Sequence, residues 1–137
     1  MKAWAMIAGC CLAGCVGAQP STQSRISSPA LGQRFDLALT HRATIADGGL
    51  TLVFIGVKED SRCPRGAQCI WAGRTSITVN ASKPGSAPKS LTLALPKPAT
   101  ADYAGYTVTL IALEPRPVAR GRKPDGKRVA TLLVRKK

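Results

Sequence analysis

Two cysteines six positions apart, Cys63 and Cys69, are the residues of this 137-residue chain best suited to chemistry. They lie in Asp60-Ser61-Arg62-Cys63-Pro64-Arg65-Gly66-Ala67-Gln68-Cys69-Ile70-Trp71-Ala72-Gly73, a stretch that also carries one of the two tryptophans. A thiol pair can form a disulfide, exchange electrons or hold a soft metal. Electron exchange calls for a thiolate of lowered pKa, commonly in C-x-x-C spacing at a helix N-terminus, whereas here the cysteines sit farther apart in a loop containing Pro64 and Gly66. Metal binding needs further soft ligands, but His41 is the sole histidine, and both methionines, Met1 and Met6, lie at the extreme N-terminus. A disulfide is the expected state; thiol redox or metal handling through Cys63 and Cys69 is the alternative. Nucleophilic catalysis would have only His41 as imidazole base. Glu59 and Asp60 are adjacent and point to opposite sides of an extended strand, the wrong arrangement for a paired-carboxylate site; Asp60 is expected to cap the loop or pair with Arg62. No phosphate-cradling glycine motif is present. A non-enzymatic protein without a cofactor or metal is expected.

The second chemical resource is positive charge. A formal charge of +13 exceeds what solubility needs and attracts phosphate-rich or carboxylate-rich surfaces over a Debye length of roughly 8 Å at physiological salt. Between Arg116 and Lys137 stand Arg116, Arg120, Arg122, Lys123, Lys127, Arg128, Arg135, Lys136 and Lys137, opposed by Asp125 alone. Arg62, Arg65 and Arg74 form another group around the cysteine loop. The expected binding surface is Arg62, Arg65, Trp71, Arg74, Arg116, Arg120, Arg122, Lys123, Lys127 and Arg128. The plainer reading is a solvated face without a dedicated ligand.

The N-terminus bears on what that surface meets. Met1-Lys2 precedes an apolar run from Ala3 to Gly14 that is too short to span a membrane, the pattern of a targeting segment. The run ends in Leu12-Ala13-Gly14-Cys15, which resembles the lipobox of bacterial lipoproteins, where a peptidase cuts before a diacylglyceryl-modified cysteine. Ile7-Ala8-Gly9-Cys10 fits the same pattern, but would leave a leader with almost no apolar region. The resemblance implies residues 1–14 as signal peptide and Cys15 as the lipidated first residue, with the acyl chains supplying the membrane anchor. Cys10 and Cys11 leave with the leader, which removes Lys2 and no acid, so the positive charge stays on the remainder. Val16, where an aspartate would favour the inner membrane, leans towards an outer-membrane lipoprotein facing the periplasm. Partners are then the membrane, through the lipid, and an anionic envelope component or acidic protein. Nucleic acid is not expected there, and the interleaved aromatics of a single-strand binder are lacking.

The scaffold that must position these residues reads as all-β. Residues 15–31 comprise the lipid site and a Ser-, Gln-, Gly- and Pro-rich tether, and 32–137 form one domain. Phe35, Leu37 and Leu39 alternate with polar neighbours as in a half-buried strand. His41–Ala46 continues or repeats it, and Asp47-Gly48-Gly49 suits a hairpin turn. Leu50–Val57 is apolar on both sides, as expected for a central strand covered on both faces. After the loop, Ile77, Val79 and Ala81 alternate until Lys83–Pro88 breaks the run; Leu91, Leu93 and Leu95 resume it up to Pro96. Tyr106–Leu113 and Val129–Val134 are the last strands, the latter after a turn at Lys123-Pro124-Asp125-Gly126. Six or seven short strands with frequent Pro and Gly predict a single antiparallel β-sandwich, or a barrel-like variant, with one disulfide-stapled loop. Aromatic content of 4% means a core of Leu, Val, Ile and Ala in two thin layers, without a deep pocket. The staple would contribute roughly 2.4 kcal/mol in the chain-entropy picture. Trp71 is expected to cover the disulfide or the end of the sandwich.

Asp60-Ser61-Arg62-Cys63-Pro64 followed by Cys69-Ile70-Trp71-Ala72-Gly73 resembles a motif of small secreted proteins and lipoproteins of bacteria. The similarity runs from about Phe35 to Pro117 and includes Tyr106-Thr107-Val108-Thr109-Leu110 and Glu114-Pro115-Arg116-Pro117. It implies a life outside the cytoplasm and brings no established activity. This chain departs from the pattern at Ala67, where a larger aliphatic residue is expected, and in a last strand without the expected tyrosine.

Overall fold

In a computed structural model, residues 28–46, 49–118 and 126–137 are described. The expected signal peptide, the lipid site Cys15, most of the tether, and Arg120, Arg122 and Lys123 lie outside them. Eight strands follow in order: β1 (Arg34–Ala38), β2 (Arg42–Thr44), β3 (Thr51–Asp60), β4 (Thr75–Lys83), β5 (Ser86–Leu95), β6 (Thr100–Tyr103), β7 (Tyr106–Glu114) and β8 (Val129–Lys136). They form two antiparallel four-stranded sheets, β1-β8-β7-β6 and β2-β3-β4-β5, packed face to face. No helix among the described residues is long and apolar enough to cross a membrane.

Alternation directs one side of each strand into the shared core. Leu37, Val108, Leu110, Leu132 and Val134 from one sheet meet Leu52, Phe54, Ile77, Val79 and Leu93 from the other, all essentially without solvent exposure. Each such side chain contributes about 1.5–3 kcal/mol by leaving water. The chain changes sheets at Thr40, which takes φ 68°. There the Leu39 amide donates to Arg128 and the Thr40 amide to Phe54, each 2.8 Å, one bond to either sheet.

Three expectations are corrected. β3 is central in its sheet but covered on one face only: Leu52 and Phe54 are buried, while Ile55 is 47% exposed, because a two-layer sandwich has no third layer to cover the outer face. Lys83–Pro88 does not interrupt the sheet. Lys83 pairs with Ser86 across a Pro84-Gly85 turn and β5 runs through Pro88, which is tolerated because β5 is an edge strand and its register shifts between Ala81 and Lys83. The described residues hold eight strands where six or seven were expected, because Thr100–Tyr103 is also a strand. It is closed onto β7 by the two-residue turn Ala104-Gly105, both at positive φ, the geometry that follows the twist of a hairpin. The Tyr103 hydroxyl donates to the Ala87 carbonyl at 2.8 Å and ties this edge to the edge of the facing sheet.

Candidate functional site

The cysteine loop leaves the sandwich at the end of β3 and returns at the start of β4, whose first residues, Thr75 and Ser76, are buried. Its base is closed by one residue pair. The Ser61 amide donates to the Arg74 carbonyl at 2.7 Å, the Ser61 hydroxyl donates to the same carbonyl at 3.1 Å, and the Arg74 amide donates back to Ser61 Oγ at 3.0 Å. Gly73, at φ 72°, lies so close to the opposite side of the loop that a Cβ there would overlap the Ser61 and Arg62 backbone. Farther out Cys63 and Cys69 are disulfide-bonded with their Cα atoms 5.8 Å apart. Between them Pro64 to Ala67 forms a turn, with the Ala67 amide on the Pro64 carbonyl at 3.2 Å and Gly66 at positive φ.

Asp60 anchors this loop to the other sheet. Its carboxylate, only 8% exposed, accepts from Arg62 Nε at 2.8 Å and Nη2 at 3.0 Å, and from Arg128 Nη1 at 2.8 Å. The two guanidiniums are completed by main-chain carbonyls, Arg62 reaching Leu113 at 2.6 Å and Arg128 reaching Pro115 at 2.9 Å. Burial pushes the Asp60 carboxyl up, but the hydrogen bonds and charges of Arg62 and Arg128 outweigh it together and hold the group below the ordinary carboxylate range. The expected Asp60–Arg62 pair is thus present, with Arg128 as a second partner that its distance in sequence concealed.

Arg62 and Arg128, counted from sequence with the binding surface, are therefore turned inward. Arg65, Arg74, Arg116 and Lys127 stand outward. Arg65 and Arg74 are well exposed and make loose pairs with Glu114 at 3.7 Å and Glu59 at 3.8 Å. The Arg65 amide donates to the Pro117 carbonyl at 3.1 Å, and Arg65 bridges Val118 in parallel fashion. That contact brings Arg116 beside the loop, and Lys127 adjoins the Asp60 cluster through Arg128. Arg65 and Arg74 accordingly share one pole of the sandwich with Arg116 and Lys127, which are far from them in sequence. Between loop and β7 lies an open cleft of about 300 Å³ lined by Ala72, Gly73, Leu95, Ile111, Glu114 and Arg116 among others.

Trp71 is not a buried cover for the disulfide or the sandwich end. It is 61% exposed and Ile70 is 99% exposed. The reason is geometric: the core is already closed by Phe54, Tyr106 and the aliphatic residues, and the loop stands outside it, so no interior space is left for the indole. Among the described residues no group of three or more His, Cys, Asp or Glu could hold a metal ion, and His41 is exposed in the link between the sheets. Ile70 is the exposed apolar residue that sequence reasoning passed over; its signal was its place beside Trp71 in a stapled loop. Comparison with family models, curated proteins and solved structures finds no significant match for this chain.

Proposed function

We propose that this chain is a non-enzymatic lipoprotein of the bacterial envelope, held by lipid on Cys15 at the periplasmic face of the outer membrane, whose basic sandwich associates with an anionic envelope component. The observation that supports the association is the gathering of Arg65, Arg74, Arg116 and Lys127 at the stapled pole. The acids nearest them offer little competition: the Arg65–Glu114 and Arg74–Glu59 pairs are long and solvent-exposed, and pairs of that kind are worth about 0–1 kcal/mol. A dense array of phosphates or carboxylates can displace them. The disulfide serves this reading by holding the loop in shape, and the inward Asp60 cluster serves it by fixing the loop to the sandwich.

The test is binding to membrane fractions and to a soluble phosphate polymer across a salt series, with Arg65→Glu, Arg74→Glu and Arg116→Glu combined. A cation near an anionic surface contributes about 1 kcal/mol, so the triple reversal is expected to weaken binding by roughly a hundredfold or more, and salt to weaken the parent protein. Equal retention by parent and variant would remove the basic pole from the function.

A further inference from the structure

Within the Asp60–Gly73 stretch nearly every distinctive residue has an internal task, and two do not. Asp60 and Arg62 fix the loop to β7, Ser61 closes its base, Cys63 and Cys69 staple it, and Gly73 permits the close backbone approach. Ile70 and Trp71, between the disulfide and the loop base, have none of these tasks and are 99% and 61% exposed. Adjacent large apolar side chains on so constrained a loop need an occupant outside the fold.

We propose that the Ile70–Trp71 tip inserts into the headgroup and upper acyl region of a bilayer containing anionic phospholipid, with Arg65 and Arg74 on lipid phosphates. The proposal rests on the anionic association argued above and names its partner. Three features favour a lipid surface over a protein. Two adjacent side chains make only a small apolar patch, whereas a stable protein interface buries about 800 Å² on each side and meets an aromatic anchor with a pocket. A bilayer needs no shape match, and indole beside arginine is the combination that settles at its boundary. The staple, the Ser61–Arg74 bonds and Gly73 order the loop beforehand, so little conformational freedom remains to be lost on insertion.

The chain also permits the approach. Gly32 bonds to Val134 and Pro29 to Ala46, so residues 28–32 enter the sandwich at the end opposite the tip. The thirteen steps from Cys15 to Ser28 reach at most about 45 Å, longer than the roughly 33 Å of a ten-residue strand. The tip can therefore fold back onto a bilayer that also holds Cys15.

The experiment uses the full chain with Trp4→Phe, which leaves Trp71 as the single tryptophan and makes its fluorescence report on the tip whatever residues 1–27 contribute. Probes are vesicles of phosphatidylcholine with and without phosphatidylglycerol, some carrying brominated acyl chains, and a soluble phosphate polymer. Insertion predicts a blue shift and bromine quenching of Trp71 on the anionic vesicles alone, and roughly tenfold weaker partitioning for Ile70→Ser, a change at a site too exposed to disturb folding. Vesicle binding with Trp71 still in water and Ile70→Ser unaffected would overturn insertion while sparing the basic pole. Salt-sensitive binding to the polymer without any to vesicles would overturn the lipid and leave an acidic polymer or protein as partner. Binding to neither would overturn both readings.

Discussion

Gly73 and Gly66 both lie in the stapled loop at positive φ, yet they answer different demands. Around Gly66 there is open space, and the need is only for a left-handed backbone in a turn. At Gly73 the Ser61 carbonyl carbon would stand 2.8 Å from an added Cβ, so the absence of a side chain is what allows the two sides of the loop to meet. Gly66→Ala is therefore expected to cost about 1 kcal/mol and Gly73→Ala more than about 2 kcal/mol, compared by urea unfolding. Equal costs would mean that the loop base relaxes freely. Residue types alone distinguished neither glycine from the other, because what separates them is a contact with Ser61 and Arg62 across the loop.

The stapled loop is an element held at two levels, by Cys63–Cys69 near its tip and by Ser61–Arg74 at its base. Cys63→Ser with Cys69→Ser removes the first and leaves the second. The double variant is expected to keep its β circular dichroism and lose about 2.4 kcal/mol of stability in urea. Anion binding should persist in the folded variant, since Arg65, Arg74 and Arg116 remain. A folded variant that has lost all function would instead restore the thiol-redox reading. Other elements were legible to unequal degrees. β1, β4 and β5 announced themselves by alternation. β6 did not, since Thr100–Tyr103 has only Ala101 and Tyr103 on its inner side and gains strand character from pairing with β7. Pro88 misled for the same reason, as its tolerance depends on β5 lying at an edge.

At the scale of the whole molecule the Asp60 cluster joins the two sheets, linking the end of β3 to the end of β7 and the approach to β8. Asp60→Asn leaves two mostly buried guanidiniums without a counter-charge and is expected to cost about 2–3 kcal/mol at neutral pH. The sign of the pH effect follows from a carboxyl held below its ordinary value in the folded chain. Its stabilisation is complete above the unfolded pKa of about 3.9 and is lost as pH falls through the lower folded value. Parent and variant stabilities should therefore converge in acid and diverge towards neutral pH, as read by urea unfolding at a series of pH values. Asp102, lowered by hydrogen bonds from Lys137 and Thr107, adds an acid-side slope common to both proteins. Parallel curves would show that Asp60 carries no net charge linkage between the sheets.

Local order was written into the chain itself: an all-β fold, the alternating strands, a Leu- and Val-built core, the disulfide loop and the excess of positive charge. Period-two alternation and cysteine spacing act between near neighbours, so a linear reading reaches them. Strand order, the pairing of β1 with β8, the seating of Arg62 and Arg128 on Asp60, and the meeting of Arg65 with Arg116 through Pro117 and Val118 came only with the tertiary structure. Each joins residues distant in sequence, and many partners of like chemistry compete for them until packing selects one. The exposure of Ile70 and Trp71 belongs to the same class, because whether an apolar residue is buried depends on what the remainder of the fold leaves beside it.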